Sequence, residues 1–406
     1  MAGPPVHDAP STRCGWTARR TSAAVSARLP DFPWDSLAAA RHLAQAHPDG
    51  IVDLSMGTPV DATPAVARNA LTGASDSPGY PSTIGRVDLR KAAADWLRRR
   101  FDVQGLGPDT VLPVVGSKEL IAGLALHLGI GTGDTVVVPE LAYPTYEVGA
   151  RLAGADVVAS DSTTALGPDA PAITWVNSPA NPTGRVLPPE HLAKVVAWGR
   201  ERGTLIVSDE CYLECCFEGP PPVSVLHPDV CGGSFEGVLA IHSLSKRSNL
   251  AGYRCAFVAG DPAVVGELLA VRKNLGLLMP GPQQVAMTAT LADDAHVAAQ
   301  HARYAARRVV LRGALEGAGF RIEHSQGALY LWATRDEPSR TSVDRLARHG
   351  ILVAPGDFYG VAGGRHVRVA ITATDERVAA AAARLAPATT AAREGRAGTP
   401  DRDARA

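Results

Sequence analysis

From Val111 onward the chain repeats one pattern: a short, near-continuous run of Val, Ile and Leu, a polar or glycine-bearing turn, then in several places an apolar-periodic helical stretch. VLPVV (111–115) leads through Gly116-Ser117-Lys118 into ELIAGLALHLG. Further apolar runs follow at TVVVPE (135–140), ADVVAS (155–160), AITWVN (172–177), TLIVSDE (204–210), GVLAIHS (237–243) and CAFVAG (255–260), with a helical stretch from Pro188 to Arg202 among them. Runs that lack apolar–polar alternation belong to strands covered on both faces, and helices must supply the cover. The pattern predicts an α/β domain with a largely parallel sheet.

After a helical region from about Pro262 to Glu316 the pattern changes to FRIEHSQGALYLWAT, a helix near Ser342 to His349, ILVAPG, HVRVAIT and a last helix from Asp375. That mixture predicts a second, smaller α+β domain. The chain is 406 residues long, and at ~150 residues per domain two or three units are expected. The expected division is a disordered tail over 1–27, an arm over 28–56 that packs beside the small domain, a large domain over 57–285, a small domain over 286–386, and a second disordered tail over 387–406.

Composition serves mainly to exclude. A formal charge of -1 gives no electrostatic reason to expect nucleic acid or a membrane surface as partner. No apolar run approaches the ~18 residues of a spanning helix, and the N-terminal stretch lacks the hydrophobic region of a signal peptide. A cytoplasmic location is the expectation. The six cysteines, Cys14, Cys211, Cys215, Cys216, Cys231 and Cys255, lack paired CxxC spacing. Even with His227 nearby, their clustering is read as small core residues rather than a metal site.

The basic residues are more informative: 35 are arginine and only five are lysine, at positions 91, 118, 194, 246 and 273. Arginine replaces lysine wherever a positive charge suffices, but it stays protonated and cannot act as an amine nucleophile. Lys91, Lys194 and Lys273 sit in helical patterns rich in charge and are read as solvated. Lys246 sits instead in HSLSKRSNLAGYR, among small hydroxylated residues.

In open α/β sheets ligands collect beyond the carboxyl ends of the strands. Gly116-Ser117 ends one strand and opens a helix whose free N–H groups form an anion site, although taken alone it is better read as an ordinary N-cap. Ser243, Ser245 and Arg254 surround Lys246 with groups suited to a phosphate. Asp209 and Tyr212 end another strand, and NSPANPTG, with Asn177, Asn181 and Gly184, ends the one before it. Singly these are turn or cap residues. Jointly they need a ligand with a phosphate, a protonatable ring nitrogen, a phenolic oxygen and an aldehyde that a lysine can capture. Pyridoxal phosphate has those features, and a Schiff-base lysine with an acidic partner for the ring nitrogen is its expected protein signature.

Eight stretches carry a resemblance to one family: DLSMGTP (53–59), GYPSTIG (79–85), GSKE (116–119), PELAYPTY (139–146), NSPANPTG (177–184), SDECY (208–212), SLSKRSNLAGYR (243–254) and HVRVAIT (366–372). In this order they resemble the class I/II aminotransferases of fold type I, over roughly residues 29–386. The resemblance implies that Lys246 binds the cofactor and moves the substrate proton, that Asp209 keeps the ring nitrogen protonated, and that Tyr212 and Asn181 bond the ring oxygen. It implies that Tyr143 stacks on the ring and that Gly116, Ser117, Lys118, Ser243 and Arg254 form the phosphate site. Tyr80 would reach the phosphate of a neighbouring subunit, which implies a homodimer with shared sites. Arg368 would grip the substrate α-carboxylate, with Gly57 allowing close backbone approach.

At the substrate level the sequence is most similar to the actinobacterial N-succinyldiaminopimelate aminotransferases of lysine biosynthesis, which implies glutamate as donor and N-succinyl-2-amino-6-oxopimelate as acceptor. GLLMP (276–280) is apolar where aspartate enzymes of this fold place a partner arginine, against a simple aspartate enzyme. Arg28, Arg86 and Lys273 are the candidates for holding a distal carboxylate. Cys215, Cys216 and Cys255 depart from the pattern, so recruitment to specialised metabolism stays open, as does a lyase or synthase activity on the same fold.

Overall fold

The computed structural model describes residues 25–386. The expected tails, residues 1–24 of the first and all of 387–406, lie outside the described residues, as does the side chain of Arg28. The strands run in chain order as β1 (Val52–Asp53), β2 (Val111–Val115), β3 (Thr135–Val138), β4 (Asp156–Ala159), β5 (Ile173–Asn177), β6 (Leu205–Asp209), β7 (Val238–Ser243), β8 (Cys255–Gly260), β9 (Arg321–Glu323), β10 (Tyr330–Thr334), β11 (Ile351–Leu352), β12 (Ala354–Pro355) and β13 (His366–Ala370). Every apolar run named above forms a strand.

Seven strands make the large sheet in the order β2-β8-β7-β6-β5-β3-β4. All neighbours pair parallel except those of β8, which is antiparallel to both β2 and β7. All residues of β5, β7 and β8 are buried, which is why these segments read as unbroken apolar runs; each fully buried Val, Leu or Ile side chain contributes about 1.5–3 kcal/mol. One face packs Leu120, Ile121, Tyr146 and Leu268 against Val136, Trp175 and Ile241. The other packs Leu89, Trp96, Leu192 and Met287 against Val176, Ile206 and Phe257.

A second sheet, β12-β13-β10-β9, is antiparallel throughout, and β1 pairs parallel with β11. A third core lies behind these strands. It takes Leu37, Ala44, Val52 and Leu54 from the arm, Tyr304, Leu311 and Leu315 from the helix Ala295–Gly317, and Leu331, Val369 and Ile351 from the strands. The helix Gly281–Leu291 still packs in the large-sheet core through Met287 and Leu291.

Helix limits follow local chemistry. Asp261 caps Pro262–Leu275 by accepting the Ala263 N–H at 2.8 Å, with proline at the first turn, where its missing N–H costs nothing. The helix expected at Ser342–His349 is Ser339–Arg348: it starts earlier because Pro338 is suited to the residue before a first turn and its fixed φ leads directly into it. The helices Ala65–Gly73 and Val87–Phe101 lie before the region in which a regular pattern was read. Among the described residues no helix is long and apolar enough to cross a membrane.

Candidate active site

The reversal of β8 places the site. Asn177 and Asp209 end β5 and β6 opposite each other, Ser243 ends β7, and Cys255, paired with Val115 at the end of β2, begins β8 at that same edge. Arg254, one residue before β8, therefore arrives where the parallel strands end. A cavity of about 260 Å³ opens there. Ser117, Lys118, Tyr143, Asn181, Asp209 and Tyr212 line it, as do Ser243, Lys246, Arg254, Gly57 and Arg368.

Gly116 backs this wall. Its φ of 84° belongs to glycine, and a Cβ there would overlap the Arg254 guanidinium. Glycine thus lets Arg254 lie across the start of the helix Ser117–His127, beside the free N–H groups of its first turn. Arg254 is tied down by its Nη1 donating to the Ala251 carbonyl at 3.0 Å. Ser243 Oγ accepts from the Ser245 N–H at 3.2 Å and lies 2.9 Å from Ser245 Oγ. Backbone donors, hydroxyls and one guanidinium converge here, a set that matches a phosphate.

Across the cavity floor stands Asp209, buried, with Oδ2 accepting from the Tyr146 hydroxyl at 2.8 Å and Oδ1 from the Cys211 N–H at 3.1 Å. Burial raises its carboxyl above the usual range, although these donors and the Lys246 charge oppose the rise. A carboxylate so buried gains from a cation placed against it. Tyr146 was not among the residues singled out from sequence; its ring stacks on Trp175 with centroids 4.6 Å apart, so in the sequence it looks like an ordinary core aromatic. Cys211 lies beside Asp209 on the cavity wall, and burial pushes its thiol up.

Lys246 Nζ donates to the Gly57 carbonyl. Tyr143 is half-buried, and desolvation pushes its hydroxyl up to about 12. Tyr212 meets Tyr330, hydroxyl to hydroxyl, at 2.9 Å, and burial holds the Tyr212 proton in place. Tyr330, also unremarked in the sequence, fits because Gly57 has no Cβ to strike its ring. Arg368 is buried, donating through Nη1 to Asn181 Oδ1 at 2.8 Å and through Nη2 to the Ser55 carbonyl at 2.7 Å. Its guanidinium lies 4.0 Å from the Tyr330 ring centroid. Of its five N–H groups, Nε and one on each Nη remain for a ligand.

Tyr80 is not brought into this cavity; its side chain is fully exposed. Of the candidates for a distal carboxylate, Arg86 is instead engaged with Asp88 at 2.7 Å, and neither it nor Lys273 lines the cavity. Lys118, which does line it, lies 5.9 Å above the Phe32 ring. Among the described residues the cysteines are all free, and no group of three or more His, Cys, Asp or Glu is arranged to hold a metal.

The chain matches the model of the family described as aminotransferase class I and II over residues 49–385. It belongs to that family. The aminotransferase is 60% identical over 361 residues to a probable aminotransferase of Mycobacterium tuberculosis, covering 89% of this chain and 86% of that one. It is 59% identical over 357 residues to the 4-dedimethylamino-4-oxo-anhydrotetracycline transaminase OxyQ of Streptomyces rimosus, covering 88% and 99%. Among solved structures, substrate-bound BacF of Bacillus subtilis superposes with a TM-score of 0.81 at 26% identity, covering 90% of this chain and 97% of the other.

Enzymes of this family and fold depend on pyridoxal phosphate. The donor set fits that group. Arg254, Ser243 and the helix start at Ser117 suit its phosphate, and the buried Asp209 lacks a cation that a protonated ring nitrogen provides. When bound, the cofactor offers an aldehyde to a lysine and a ring that draws electrons from the substrate Cα.

Proposed function

We propose that the aminotransferase moves an amino group between glutamate and a 2-oxo acid bearing a second carboxylate on an extended chain, with N-succinyl-2-amino-6-oxopimelate as the acceptor, in lysine biosynthesis through diaminopimelate. One observation carries this reading. Four cationic side chains line the cavity, and three have other work: Lys246 takes the cofactor aldehyde and moves the proton at substrate Cα, Arg254 holds the phosphate, and Arg368 grips the α-carboxylate. Lys118 keeps its backbone N–H for the phosphate site at the helix start, and its side chain, beside Phe32, is left as the partner for a distal carboxylate.

In this reading Asp209 holds the ring nitrogen protonated, with Tyr146 bonding its other side. Tyr212 and Asn181 hold the ring oxygen, Tyr143 covers the ring face, and Ser117 and Ser243 complete the phosphate site with Gly116 behind them. The reading includes a homodimer, with Tyr80 presented to the partner's phosphate site rather than its own.

A second acceptor class has its own support. Phe32, Trp34 and Phe358 form an aromatic run at the mouth, with centroids 5.5 and 5.3 Å apart, and the Streptomyces relative is named for a polycyclic ketone. The test is steady-state kinetics with glutamate as donor and three acceptors: the succinylated keto acid, a monocarboxylic 2-oxo acid and an anhydrotetracycline ketone. Lys118→Met should raise KM for the succinylated acid at least tenfold and leave the monocarboxylic KM within twofold. Equal rises for both acids would remove Lys118 from distal recognition, and turnover of the ketone alone would establish the second reading.

A further inference from the structure

A second cavity, of about 200 Å³, lies between the C-terminal half of β5, the helix Pro189–Arg202 and the loop after β4. Its body is hydrocarbon, from Val137, Leu141, Leu166, Val176, Leu187 and Val195. Its charged and imidazole groups are Arg185, His191 and His324, with Asp161, whose Oδ1 already accepts the Glu140 N–H at 3.0 Å, and Ser160, Ser162, Thr163, Thr174, Asn177 and Thr183 add hydroxyls and one amide. Burial, and then the Arg185 charge, hold His191 below the ordinary histidine range, so at neutral pH the guanidinium is the fixed positive charge here. Thr174 is 6% exposed, lines the cavity, and leaves its Oγ1 without a hydrogen-bond partner among the described residues. An apolar hollow with a cationic rim suits a ligand with hydrocarbon at one end and an anionic oxygen at the other, and the Thr174 hydroxyl, in register beside Val137, is a further polar group along its wall.

The cavity also sits on a seam. His324 comes from the turn between β9 and β10, whereas the other lining residues belong to the large sheet and its connections. In that turn His324, Ser325 and Ala328 have φ of 49°, 61° and 60°, a conformation that residues with a Cβ hold only where surrounding bonds impose it. Those bonds lead to the substrate site. Ser325 N–H donates to the Thr183 carbonyl at 2.9 Å and Gly327 N–H to the Gly184 carbonyl at 2.8 Å. Asn177, which lines the second cavity, accepts the Asn181 N–H at 2.7 Å. Asn181 in turn bonds Arg368 at 2.8 Å.

The geometry points to an effector site: a small apolar carboxylic acid binds in this cavity, its carboxylate among Arg185, His191 and His324 and its hydrocarbon against Val137, Val176 and Val195. Its occupancy alters the hold of Asn181 on Arg368. A ligand spanning the seam fixes the 324–328 turn against the Thr183-Gly184 loop, and by linkage any ligand that favours one arrangement of that loop changes the affinity of another ligand that depends on it.

The probe is 3-phenylpropanoate, titrated by calorimetry into Arg368→Ala holoenzyme so that the substrate site has lost its carboxylate grip. One saturable site per chain is expected, at least tenfold weaker for 3-phenylpropan-1-ol and in an added Arg185→Ala change. Leu166→Trp, which enlarges a cavity-lining side chain on the loop after β4, should abolish it. Absence of saturable binding at millimolar probe, or affinity untouched by both cavity changes, would overturn the site. In enzyme with Arg368 intact the probe should change the glutamate KM about fivefold, and Leu166→Trp should remove that change. Inhibition that survives Leu166→Trp would put the acid in the substrate site and overturn the effector role. The control rests on Arg368 as the α-carboxylate grip. Normal glutamate KM in Arg368→Ala would sink that assignment, while Arg185 and Leu166 would still report on the second cavity.

Discussion

Gly116 concentrates the phosphate argument in one residue. Its φ of 84° with ψ of 147° is nearly reserved to glycine, at a cost of about 1–3 kcal/mol for any other residue, and a Cβ would displace Arg254 from the helix start. Gly116→Ala should therefore lower the melting temperature of cofactor-free enzyme and, separately, weaken cofactor binding at least tenfold in an absorbance titration. Lost stability with unchanged cofactor affinity would mean that Arg254 does not need its present position. Residues at this scale were legible in proportion to how badly their chemistry fits a bland role. Lys246 stood out because arginine, used elsewhere, cannot do amine chemistry, and Asp209 because a carboxylate after a buried strand needs a partner. Tyr146 and Tyr330 did not, since an aromatic ring in a helix or strand reads as packing until its hydroxyl is seen 2.8 Å from Asp209 or 2.9 Å from Tyr212.

Among elements, the buried strands were legible because apolar runs covered on both faces leave no alternation to misread. The antiparallel direction of β8 was not, because direction is set by how the chain returns from the short helix Leu244–Arg247 and not by the composition of CAFVAG. Nor was the arrangement that joins distant elements through charge. Arg307, buried in the helix Ala295–Gly317, donates through Nη2 and Nη1 to Asp61 at 2.7 and 2.8 Å and through Nε to Asp375 at 2.6 Å. Asp61 pays for its desolvation through these bonds and is held below the usual carboxylate range, so this contribution is present at neutral pH, begins to fall as pH drops through the ordinary value of 3.8 and is gone below the lowered one. Asp61→Ala leaves a buried guanidinium with one exposed partner, and the expected loss is about 3 kcal/mol in urea unfolding at pH 7. A change below ~0.5 kcal/mol would show that water takes over the role of Asp61.

For the whole molecule the buried pair Glu210 and His242, with Nε2 and Oε2 3.4 Å apart, shapes the dependence of stability on pH. Burial raises Glu210 to about 7, against the donors Val225 N–H at 2.6 Å and Ser224 Oγ at 2.7 Å, and it lowers His242 to about 3. Between their unfolded values of 4.5 and 6.5 the native chain carries one proton, on Glu210, and the unfolded chain carries one, on His242. The proton counts match, so the pair adds no slope there. Below 4.5 the unfolded chain holds two and stability falls with acid; from 6.5 to 7 the native chain holds one more, and stability falls as pH rises. Glu210→Gln keeps an amide oxygen for the Val225 N–H and turns its NH2 toward Ser224 Oγ, which can accept as well as donate, but it removes the native proton, so acid sensitivity should begin below 6.5 instead of 4.5. In urea unfolding at equal cofactor excess, the stability of the parent over the variant should be largest at pH 4.5 and decline by about 1.4 kcal/mol per pH unit toward 7. Parallel curves across that range would mean that Glu210 is ionised in the native state as it is in the unfolded chain.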